Sequence, residues 1–135
     1  MANVKELMET RAEKERKAVE YGWQAHPDRY EITNSIEECR KLADGTKNVS
    51  IAGRVMAKRK MGKISFIDIS DISGHIQLVM KRDDLKEDEY RKIHEILDIG
   101  DFIGIKGDVF TTQAGEKSVQ VYEFQFLGKA LRPLP

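Results

Sequence analysis

The chain has 135 residues, enough for one domain with a short extension. Its 23 Lys and Arg balance 23 Asp and Glu, which excludes a generally basic nucleic-acid coat but not a local basic patch. Cys39 is the one cysteine, so an intrachain disulfide is excluded, and no apolar run approaches the roughly 20 residues of a membrane span. The opening Met1–Glu6 lacks a signal-peptide core and is too acidic for a transit peptide, so a cytoplasmic protein is expected.

Residues 1–46 read as a helical extension. Lys5 to Glu20 is dense in good helix formers, with Glu13 and Lys17 four apart in the favourable order. Its apolar stripe of Val4, Leu7, Met8, Ala12 and Val19 is thin, and Gly22 and Pro27 end it. A second short helix starts at Ser35, which has capping-box spacing to Glu38. Ile36, Cys39 and Leu42 then recur at one-turn intervals before Asp44-Gly45.

From Asn48 the pattern changes to strands. Val49 to Val55 alternates, with Gly53 a candidate bulge. Ile64 to Ser70 and His75 to Met80 are separated by the turn residues Asp71, Ser73 and Gly74. A helical insert over about 85–97 has Asp84 and Glu87 as candidate caps, Tyr90, Ile93 and Leu97 as its apolar stripe, and Gly100 as its stop. Phe102 to Thr111 and Lys117 to Leu127 are two further strands, joined at Gln113-Ala114-Gly115. Three strands, a helix and two strands give a mainly β fold, a five-stranded OB-fold Greek-key barrel over residues 47–130. Another small β-barrel with a similar strand count is the alternative.

On the second strand Ile67 and Ile69 share one face and Phe66 lies on the other with Asp68. On the third, Ile76, Leu78 and Met80 share a face, leaving Gln77 opposite with His75 and Lys81. A turn at Asp71-Ile72 makes Phe66 and Gln77 direct cross-strand neighbours, and a turn one residue later makes them diagonal ones. An aromatic ring beside an amide suits an unpaired base, which stacks on the ring while the amide meets its edge. The plainer reading is a Phe66 covered by the N-terminal helix.

Arg54, Lys58, Arg59, Lys60 and Lys63 form a basic stretch that fits either a phosphate backbone or a solvated hairpin tip. Strict alternation from Ile51 places Arg59 on the inner face, so only a bend at Gly53 or a second irregularity brings it to Phe66. Glu116, after the Gly115 turn, is an acceptor suited to a base edge that carries an N–H, or an ordinary turn residue. His26, His75 and His94 have no metal-ligand spacing, Cys39 has no catalytic partner, and no phosphate-binding glycine loop is present. No catalytic residue and no cofactor are expected in this chain.

The stretch from Val49 to Phe66 resembles the opening of the anticodon-binding domain of class II lysyl-tRNA synthetases. The likeness continues through Asp71 to Leu78, Arg82 to Leu85, and Gly115 to Ser118. It ends on Lys129 to Pro135, which resembles the join to a catalytic domain and makes 131–135 the start of a linker. The resemblance implies that Arg59, Phe66, Gln77 and Glu116 hold the anticodon: Phe66 stacks on a base, and the other three address the edges of a central uracil. Lys58, Lys60 and Lys63 are the phosphate-backbone candidates. It implies as partner a lysine-accepting tRNA, with ATP and Mg2+ confined to a catalytic domain beyond Pro135 and a homodimer for the full-length enzyme. The aspartate and asparagine enzymes share the central uracil, so the four residues alone do not separate them. A general single-strand-binding OB domain is the competing reading.

Overall fold

The computed structural model describes residues 30–128. The expected helix over 5–20 and the closing Lys129–Pro135 segment lie outside them. The elements in chain order are α1 (Ile36–Arg40), β1 (Val49–Met61), β2 (Ile64–Asp71), β3 (Gly74–Lys81), α2 (Arg82–Leu85), α3 (Glu87–Ile96), β4 (Phe102–Thr111) and β5 (Lys117–Gly128). The five strands close into a barrel in the order β1-β2-β3-β5-β4, with β3 and β5 parallel and every other pair antiparallel. Five strands with helices between the third and fourth are the OB-fold expected from the sequence.

Period-two alternation supplies the core. Ile51, Val55, Ile67, Ile69, Ile76, Leu78, Ile103, Ile105, Val109, Val119 and Val121 all point inward and are buried in one cluster. Tyr90, Ile93, Ile96 and Leu97 add the apolar face of α3 and its end to the same cluster. On α1, Ile36 and Cys39 are buried at one-turn spacing. Its capping box is formed: Ser35 Oγ accepts from the Glu38 N–H at 3.2 Å, and the Glu38 carboxylate accepts from the Ser35 N–H at 2.8 Å.

Two local expectations are corrected. The helical insert is not capped by Asp84 or Glu87. It breaks at Lys86, whose φ of 69° interrupts the chain between α2 and α3, and no side chain caps α3. Asp84 instead accepts from Gln120 Nε2 at 2.8 Å, tying the insert to β5, and Glu87 lies 3.9 Å from the Arg82 guanidinium. The second correction concerns the bulge, which is not at Gly53. The β1–β2 register shifts between Val55 and Ala57. Gly53 answers a different need, since a Cβ there would stand 2.7 Å from the Ser70 carbonyl oxygen.

The cause of the bulge lies in the loop before β4. Val55 N–H donates to the Asp101 carbonyl at 2.8 Å, and the Gly100 N–H donates to the Val55 carbonyl at 2.7 Å. Asp101 is itself buried, its carboxylate accepting from the Asp98 N–H at 2.7 Å. This is where β1 leaves β4, its last paired residue there being Arg54, and goes on with β2 alone. One extra residue at that transfer rotates the rest of β1 by one side-chain position.

Candidate nucleic-acid interface

The bulge decides which side chains share the outer wall. Beyond it Ala57 pairs with Asp68 and Arg59 pairs with Phe66, so Arg59 moves from the inner phase to the outer one. The irregularity that Arg59 required is therefore present, three residues later than the Gly53 bend. The Arg59 guanidinium carbon lies 5.4 Å from the centre of the Phe66 ring, within cation–π range. Phe66 is partly exposed; the N-terminal helix of the plainer reading lies outside the described residues.

In the β2–β3 hairpin Asp68 faces Gln77 and Phe66 faces Val79. Phe66 and Gln77 are thus the diagonal neighbours that the later turn position predicts. The turn is held by Asp71, whose Oδ1 accepts from the Ser73 N–H at 2.7 Å and the Gly74 N–H at 3.1 Å. Across the parallel β3–β5 pair Gln77 faces Ser118, and across the β4–β5 pair Ser118 faces Phe110. Ser118 Oγ lies 2.9 Å from Gln77 Oε1.

Glu116 enters from the β4–β5 hairpin. Gly115 turns the chain with φ 87°, a conformation available to a residue without Cβ, and leaves Glu116 exposed. The loop is fastened by the Glu116 N–H to Thr112 Oγ1 at 3.1 Å and the Thr112 N–H to the Glu116 carbonyl at 2.9 Å. Arg59, Phe66, Gln77 and Glu116 come together around one open concavity of about 680 Å³. They reach it from four different strands or turns.

The structure separates two of the basic residues from this group. Lys58 Nζ donates to the Leu97 carbonyl after α3, and the Lys60 ammonium sits 5.8 Å from the Tyr90 ring centre. Both follow the inner phase of β1, opposite Arg59. Lys63 is exposed at the β1–β2 turn.

Phe110 and Lys81 also line the concavity and were not singled out from the sequence. Phe110 carried the same signal as Phe66. It is an aromatic out of phase with the buried Ile103, Ile105 and Val109 of its strand. Ser118 left no such signal, because a serine reads as an ordinary strand-edge residue until its partner is known.

Residues 49–127 match the tRNA anti-codon family, described as an OB-fold nucleic acid binding domain. The chain belongs to this family. The match runs from the first residue of β1 to within one residue of the end of β5, so all four convergent side chains lie inside the anti-codon domain. Curated relatives of this domain include the lysine--tRNA ligase of Syntrophomonas wolfei, 41% identical over 98% of the chain and 27% of the relative. That of Carboxydothermus hydrogenoformans is 44% identical over 96% of the chain and 27% of the relative. That of Lysinibacillus sphaericus is 40% identical over 100% of the chain and 29% of the relative. The chain thus spans about a quarter of the length of these relatives.

Proposed function

We propose that this domain reads the anticodon loop of a lysine-accepting tRNA. The observation that carries the reading is the convergence of Arg59, Phe66, Gln77 and Glu116 on one concavity. A ring with an exposed face stacks an unpaired base of any identity. Uracil then presents one N–H between two carbonyls, and the wall supplies a carboxylate that accepts and a guanidinium and an amide that donate. The match to the anti-codon family supports the tRNA loop as the single-stranded partner, and the relatives named lysine--tRNA ligase favour the lysine acceptor over aspartate or asparagine.

Within the basic stretch, Lys63, exposed at the β1–β2 turn, is the first candidate for phosphate, with Lys58 and Lys60 also exposed but reaching toward α3. The protein that includes this domain would activate lysine with ATP and Mg2+ and transfer it to tRNA in the cytoplasm, as a homodimer. Those steps belong to the three-quarters of the relatives' length outside this chain.

The test is a titration of lysine-tRNA anticodon stem-loops, with the central uracil kept or changed to cytosine, at one fixed salt concentration. Tighter binding of the uracil form is expected. Equal affinity would replace anticodon reading with general single-strand binding.

A further inference from the structure

We infer that Ser118 is a positioning residue for base discrimination, which it serves by fixing the amide of Gln77 as a hydrogen-bond donor. The inference rests on the anticodon reading above. Ser118 is fully buried, yet it stands on the outer phase of β5 between the inward-facing Val119 and the turn that carries Glu116. Its hydroxyl has two oxygen neighbours: Gln77 Oε1 at 2.9 Å and the Glu116 carbonyl at 3.1 Å. A serine hydroxyl has one proton to give.

The backbone decides which neighbour receives it. The Glu116 carbonyl already accepts from the Thr112 N–H at 2.9 Å, and its second lone pair is the more distant of the two acceptors open to Ser118. The proton goes to the closer Gln77 oxygen. With that oxygen committed, the amide nitrogen turns away from Ser118, and Gln77 faces the concavity as a donor. The acceptor role falls to Glu116, whose carboxylate has no proton to give when ionised. Donor and acceptor are thereby assigned to separate residues.

This assignment bears on uracil against cytosine. Uracil meets the wall with two carbonyls flanking an N–H. Cytosine offers an amine and a bare ring nitrogen in place of one carbonyl and the N–H. A Gln77 amide free to make a half-turn presents its own carbonyl to the cytosine amine and tolerates the wrong base. The Ser118 hydroxyl biases the amide against that half-turn, because a turned amide must donate to the hydroxyl and send its proton to the more distant Glu116 carbonyl, 3.1 Å away and already bonded to the Thr112 N–H. Ser118→Ala should therefore relax discrimination by improving the cytosine complex, rather than weaken both complexes equally.

The experiment measures the affinity ratio for stem-loops with central uracil and central cytosine, using the full 135-residue chain. The variants are Ser118→Ala, Ser118→Thr, Gln77→Ala and the Ser118→Ala/Gln77→Ala double. Loss of one orienting hydrogen bond should lower the ratio about three- to ten-fold in Ser118→Ala. Ser118→Thr keeps a hydroxyl and should hold the ratio. The double variant should discriminate no worse than Gln77→Ala alone. An unchanged ratio in Ser118→Ala, or an equal further fall in the Gln77→Ala background, overturns the role given to Ser118 while leaving the anticodon reading intact. A wild-type chain with no preference removes the anticodon reading, and the role of Ser118 with it.

Discussion

At the scale of single residues, the proposed roles can be separated by substitution. Phe66 is partly exposed, with the Arg59 guanidinium carbon 5.4 Å from its ring centre. Phe66→Ala removes the stacking surface and one side of the cation–π contact. It should weaken stem-loop binding by about 1–3 kcal/mol, while Phe66→Tyr keeps the ring and most of the affinity. Fluorescence anisotropy at fixed salt checks this; a Phe66→Ala chain that melts normally and binds unchanged would remove stacking from the mechanism. Lys58 is expected to behave in the opposite way. Its ammonium is used at the carbonyl of Leu97, so Lys58→Ala should lower the melting temperature and leave the salt dependence of binding unaltered. A shallower salt slope in that variant would place Lys58 on the phosphates after all. Phe66 and Gln77 were legible because alternation alone puts them opposite the buried isoleucines and leucine. Arg59 was legible only conditionally, since the bulge that turns it outward is caused by Gly100 and Asp101, more than forty positions away in sequence. Period-two reasoning along β1 contains no term for such a distant constraint.

At the scale of elements, local signals were faithful where the partner was also local. The Ser35–Glu38 box formed because both halves lie within one turn. Asp84 was misassigned as a cap because its partner, Gln120, comes from the distant strand β5. Asp71 combines the two cases. It closes the β2–β3 turn through Ser73 and Gly74, and its Oδ2 accepts from the Ile36 N–H at 3.0 Å, fastening α1 to the hairpin. Burial pushes its carboxyl upward. Hydrogen bonds from the Ser73 hydroxyl and from the backbone of Ile36, Ser73 and Gly74 outweigh that push and hold it below the ordinary carboxylate range. A lowered folded-state value means the stabilisation is present above the unfolded pKa, near 3.9, and is lost as pH falls through the folded one. Asp71→Ala should cost about 1–3 kcal/mol in denaturant titrations at pH 7, through unsatisfied turn donors and a loosened α1. The difference from wild type should shrink below about pH 4, where the wild-type carboxylate is itself being protonated. A difference independent of pH down to 2 would mean that the side chain acts by packing, not by charge.

At the scale of the whole molecule, the balanced charge leaves stability to individual groups, and among the described residues His94 is strongly perturbed. Its ring joins a chain of hydrogen bonds through Ser65 and Tyr90 to the Gly62 carbonyl. One direction of donation uses every proton once: His94 Nε2–H to Ser65 Oγ, Ser65 to the Tyr90 hydroxyl, and Tyr90 to Gly62. That requires only a neutral imidazole. Burial lowers its pKa to about 4, with the charges of Lys60 and Lys58 acting in the same direction. The unfolded chain protonates near 6.5 and the folded one near 4, so between those values the unfolded state binds more protons. Stability should accordingly fall as pH drops from 6.5 toward 4, above the range in which Asp71 titrates. His94→Gln retains a donor toward Ser65 but cannot ionise. Its melting temperature should match wild type near pH 7 and decline less between pH 6.5 and 4.5. Parallel declines for the two proteins would show that the acid sensitivity of the barrel originates in its carboxylates rather than in this histidine.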